Sequence, residues 1–163
     1  MSESRSLIAE LEAAVSSDSP RKRTEILRRV AALFLHDAGR LNTKQVSVFD
    51  DVLVHLVGRV EAKALIELSE SLCVTANAPV ETLRRLANDD RIAVAGPVLA
   101  QSPRLTETDL IDIAKSKSDD HLLAISGRRQ ITEAVSDILM DRGSARVARR
   151  LVENSGTRFS NAS

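Results

Sequence analysis

The chain has no tryptophan, no tyrosine and one cysteine, and each shortage removes a class of function. Aromatic residues make up 2% of the sequence, as Phe34, Phe49 and Phe159. Recognition of unpaired or flipped bases leans on aromatic stacking, so that chemistry has almost nothing to work with here. A lone Cys73 excludes an internal disulfide and a cluster of thiolate ligands. It sits in the apolar run Leu72-Cys73-Val74, where a thiol behaves as a small buried hydrophobe. The six glycines are scattered and none opens a helix in a phosphate-binding pattern. No apolar run approaches the roughly 18 residues that a membrane span requires. The N-terminus turns amphipathic at once and lacks a signal-peptide layout, so the expected location is the cytoplasm.

Charge is balanced, with 23 basic against 23 acidic residues and a pI near 6.8. A neutral chain lacks the overall basic field of a nonspecific nucleic-acid binder. Leu, Ile, Val and Ala must fill the core, and helical periodicity recurs throughout, so the fold is expected to be all-α.

The first 76 residues read as about four helices. An amphipathic segment from Arg5 to Val15 aligns Leu7, Ile8, Leu11, Ala14 and Val15 on one face. Ser19-Pro20 is an N-cap followed by proline at the first helical position. The second helix runs to about His36 on the stripe Ile26, Leu27, Val30, Leu33 and Phe34. Asn42 with Gln45 predicts a capping box for a third helix, whose stripe is Val46, Phe49, Val52, Leu53, Leu56 and Val57. Glu61 to Cys73 is apolar on a broad face, which means burial between neighbours or a subunit contact. On the second alternative, the chain forms a homodimer through these N-terminal helices.

Residues 77–163 carry an internal repeat of about 26 residues, in about three units. Each unit opens with an amphipathic helix, at Pro79 to Ala87, Glu107 to Lys115 and Glu133 to Met140. A polar turn follows, and then a second helix, at Arg91 to Ala100, Asp119 to Arg128 and Ala145 to Glu153. Thr106 and Thr132 cap successive units, and Leu105, Ile131 and Phe159 close them. A unit this small buries its apolar side only by stacking on its neighbours, so N-terminal antiparallel helices should continue into an α-solenoid. Gly96-Pro97 interrupts a helix and should kink it.

The stretch Leu86-Ala87-Asn88-Asp89-Asp90, with Val94-Ala95-Gly96-Pro97-Val98-Leu99 and Ser102-Pro103-Arg104-Leu105, resembles the helical-repeat domain of an alphaproteobacterial family of unknown function. His121 to Ile125 and Asn154 to Ser160 fit the same family. The pattern is also similar to HEAT-like and leucine-rich variant repeats, which implies a right-handed solenoid of helix pairs. The family carries no assigned chemistry, so it transfers no functional residue. It does imply a further repeat after Phe159-Ser160, and hence a truncated chain.

Chemistry is sparse. His36 at a helix end suits the helix dipole, and His55 stands four residues from both Asp51 and Arg59, as in a surface ion-pair row. Asp119-Asp120-His121 tempts as a metal or acid–base cluster, but adjacent helical residues face apart and the two aspartates fall where N-terminal carboxylates belong. The reading is a non-enzyme without metal or cofactor. The remaining signal is arginine: Arg84, Arg85, Arg128, Arg129, Arg142, Arg146, Arg149, Arg150 and Arg158. If stacking aligns them, they form a binding face for a protein or peptide, or alternatively for nucleic acid or another polyanion.

Overall fold

A computed structural model describes residues 19–159. The expected helix at Arg5 to Val15 lies outside the described residues. Among the described residues, nine α-helices follow in order: α1 Pro20–Asp37, α2 Thr43–Leu56, α3 Ala62–Leu72, α4 Val80–Ala87, α5 Ile92–Gln101, α6 Glu107–Ser116, α7 Asp119–Ser126, α8 Glu133–Arg142 and α9 Ala145–Glu153. A short 3-10 turn, Ala38–Arg40, ends α1. The fold is all-α, as the periodicity requires.

Local signals place the helix starts. Ser19 accepts from the Lys22 N–H ahead of Pro20. Asn42 and Gln45 complete their capping box with two bonds of 2.9 Å. Thr106 does the same with Asp109, and Thr132 accepts from the Val135 N–H. α5 runs through Pro97 without ending, because proline removes one N–H while Val94, Ala95, Val98 and Leu99 remain fully buried.

Packing follows the chain in two layers. Helices α1, α3, α5, α7 and α9 lie side by side in one layer, each touching the next, and α4, α6 and α8 cover its other side against their own partners. In the covering layer α2 packs on α4 and α6 packs on α8. Helices that start at 80, 107 and 133, and at 92, 119 and 145, set unit spacings of 27 and 26 residues. A single apolar core runs from Leu27 to Leu151, so α3 and α5 join the N-terminal helices directly to the repeats. Phe34, fully buried, meets the partly buried Phe49 edge-on at 5.4 Å between ring centroids.

Polar bonds tie each unit to the one before. Arg128 donates to the Leu99 and Ser102 carbonyls, each at 2.6 Å, and so closes the end of α5. One unit later, Asn154 donates to the Ser126 and Arg128 carbonyls at 2.9 and 2.7 Å and closes α7. At the opposite helix ends, Asp119 accepts from the Ser144 N–H and hydroxyl, both at 2.8 Å, and from Arg146. Further up the stack, buried Arg23 donates to the Gly58 carbonyl at 3.0 Å and to the His55 carbonyl, and so ties α1 to the end of α2.

One closing position differs from the sequence reading. Leu105 and Ile131 are buried, but Phe159 is 43% exposed. Thr157 stands in its place, because it forms an isolated parallel bridge with Ile131 as the chain leaves the turn at 155–156. The Ile131 N–H donates to the Gly156 carbonyl and the Arg158 N–H donates to the Ile131 carbonyl, both at 2.9 Å. A Cβ on Gly156 would overlap the Arg129 carbonyl, so this close approach requires glycine.

Candidate interaction surface

The nine arginines singled out by sequence divide into three groups. Arg84, Arg142 and Arg146 act as struts between units. Arg84 pairs with Asp109 at 3.0 Å and with Glu81, Arg142 donates to the Ala114 carbonyl, and Arg146 reaches Asp119 at 2.9 Å and Asp120 at 2.6 Å. Burial works against the Arg84 charge, but the two carboxylates outweigh it and hold its pKa above the ordinary arginine value. Arg85 and Arg149 point to solvent from separate helices. Arg128, Arg129, Arg150 and Arg158 do come together around one turn, residues 127–132. Arg128 and Arg129 belong to that turn, Arg150 lays its guanidinium over Gly127, and Arg158 pairs its backbone with Ile131. Burial lowers the Arg128 pKa, and its neighbours there are carbonyls rather than a carboxylate.

This turn forms one wall of a groove of about 920 Å³. The groove crosses the edge of the stack from the end of α3, past the end of α5 and the start of α6, to the start of α8. Leu105, Leu110, Ile131 and Val135 line it as buried apolar residues, and Val74 stands at its rim, 70% exposed. Cys73 also borders it. Burial, with Glu70 nearby, raises the thiol pKa, and its Sγ lies 3.1 Å from the Glu70 carbonyl, so it is a neutral wall residue. A smaller recess of about 510 Å³ shares Glu107, Gln130, Ile131 and Thr132 with the groove and adds Arg158. Sequence reasoning missed the groove because it is made by three turns far apart in the chain.

The histidines take structural positions. His121 is buried, with Nε2 donating to the Asp89 carbonyl at 2.8 Å and Nδ1 accepting from the Ser118 hydroxyl at 2.7 Å. A carbonyl can only accept, which fixes the tautomer. The ring joins α7 to the preceding unit. His55 turns its Nδ1 to the Asp51 carbonyl at 2.7 Å rather than to a carboxylate row. Among the described residues, no three His, Cys, Asp or Glu side chains are grouped to hold a metal ion. Likewise, no described helix is long and apolar enough to cross a membrane.

Comparison adds family context for part of the chain. No curated protein and no solved structure matches it. Residues 94–163, less than half of the sequence, match a family described as an uncharacterised protein conserved in bacteria, DUF2336, and over that stretch the chain is similar to this bacterial family of unknown function.

Proposed function

We propose that this protein is a non-enzymatic interaction module that holds a protein or peptide partner on the surface of its helix stack. We further read the helix pairs as HEAT-like and the matched stretch as belonging among alphaproteobacterial members of its family. The observation that carries the functional reading is the edge groove, open to solvent beside the arginine-bearing 127–132 turn, with an apolar floor and the exposed Val74 at its rim. A stacked fold suits this role, since its surface side chains can change without disturbing the core between units. Polyanion binding through a continuous arginine row has less support, because Arg84, Arg128, Arg142 and Arg146 are already bonded within the chain.

The test is affinity capture from source cells with the full chain, the Val74→Asp variant and heat-unfolded chain as baits. Val74 is at the rim, so its change should leave folding intact. A partner retained in stoichiometric amount by the full chain, and lost with Val74→Asp, supports the reading. No protein enriched over the unfolded bait contradicts it.

A further inference from the structure

We propose that the groove binds an extended peptide by adding it as a strand to residues 130–132, with an acidic residue of the peptide beside Arg129; this rests on the interaction reading above. The chain itself shows parallel backbone pairing at this turn, through the Ile131–Thr157 bridge. Residues 156–158 pair with the Ile131 N–H and C=O, so both backbone groups of Ile131 point to that side. In an extended segment, successive residues direct their backbone groups to opposite sides. The Gln130 N–H and C=O and the Thr132 N–H therefore face away from 156–158, and none of the three has a hydrogen bond within the described residues. Gln130 and Thr132 both line the groove. The turn thus pairs on one side through the single Ile131–Thr157 bridge and leaves the backbone groups of its other side open, which is the opening that peptide recognition by strand addition uses.

The side chains agree with that occupant. A strand sends alternate residues to one face, and the apolar floor of Leu105, Leu110 and Val135 would receive one set. Arg129 is exposed and has no partner among the described residues, and the Arg150 guanidinium lies at neighbouring Gly127. At this end a carboxylate on the peptide meets cations. Glu107 stands among the groove's lining residues, and it discriminates against a uniformly acidic ligand.

Phage-displayed random peptides of about 12 residues, long enough for strand addition, are selected on the full chain, and the enriched sequences are synthesised with a fluorescent label. Polarisation titrations are then made against the wild type, Gln130→Pro and Arg129→Glu. Enriched peptides should alternate apolar residues and carry an acidic one. Affinity should fall about tenfold with Gln130→Pro, which deletes a donor, and also fall with Arg129→Glu. N-methylation of single peptide amides tests the same bond without altering the protein. It should weaken binding at alternate positions by about tenfold and leave the intervening positions unaffected. Failure to enrich any peptide overturns strand addition, as does binding that tolerates N-methylation everywhere. A cellular partner captured equally well by wild type and Gln130→Pro overturns this inference and leaves the interaction reading standing.

Discussion

Asp50 of α2 caps a helix that cannot cap itself: its carboxylate accepts the Thr82 N–H at 2.8 Å and the Thr82 hydroxyl at 2.7 Å. It also accepts the Glu81 N–H at 3.0 Å. The residue at the N-cap of α4 is Pro79, which has no side-chain acceptor, so the missing cap comes from a neighbouring helix. The bond joins the N-terminal helices to the first repeat, 32 residues apart.

Asp50→Ala should therefore destabilise the fold by about 3 kcal/mol, more than an ordinary surface cap, because two buried donors of Thr82 and the part-buried Glu81 N–H lose their acceptor. Urea unfolding checks this. A loss within about 0.5 kcal/mol, the range of neutral surface changes, would show that α4 finds another cap.

Arg128 is the corresponding tie at the other helix end. Arg128→Ala should cost about 2 kcal/mol by freeing the Leu99 and Ser102 carbonyls. Arg128→Lys should recover little of it, since an ammonium cannot span two separated carbonyls as a fork does. Full rescue by lysine in thermal unfolding would show that charge alone matters here.

Acid should loosen the junctions between units. Bonds from the Ser144 backbone and side chain, with Arg146, hold Asp119 below the usual aspartate value of 3.8. Lys117 of the next unit does the same for Asp90, and Arg91, within its own turn, for Asp89. A folded pKa below the unfolded one means stability that is complete above the unfolded value and is lost as pH falls through the folded one. Melting temperature should hold from neutral pH down to about pH 5 and fall below that. Asp119→Asn should lower the neutral-pH plateau and shrink the acid drop; an unchanged drop would remove Asp119 from the account.

Ser69 makes the opposite prediction. Its hydroxyl is fully buried between neighbouring helices and has no hydrogen-bond partner among the described residues. Ser69→Ala should be neutral or stabilising by up to about 1 kcal/mol in urea unfolding. A destabilisation larger than that would mean the hydroxyl is paired.

What the sequence disclosed was local. The capping box of Asn42 with Gln45, the Thr106 and Thr132 caps and the 26-residue spacing depend on residues within one turn or one unit, and all appear in the structure. What it hid depends on contacts between units. Asp50 sat on the stripe of Val46 and Leu53, four and three residues away, and a carboxylate in that register was a signal of a buried partner. Arg23 to Gly58 and Arg128 to Leu99 span 35 and 29 residues, which no helical periodicity can reveal. For the same reason the arginines looked like one face, while stacking spent Arg84, Arg142 and Arg146 on struts and gathered Arg129, Arg150 and Arg158 at one turn. Phe159 was assigned by its side chain, whereas the parallel pairing at Ile131 gave the position to Thr157.

The most direct test of the interaction reading is hydrogen exchange of the chain, free and bound to its captured partner or selected peptide. Exchange should slow at the amides of Gln130 and Thr132, which are unbonded in the free chain, with little change across α9. Protection confined to the Arg142 to Arg150 region, with Gln130 and Thr132 exchanging as before, would contradict it.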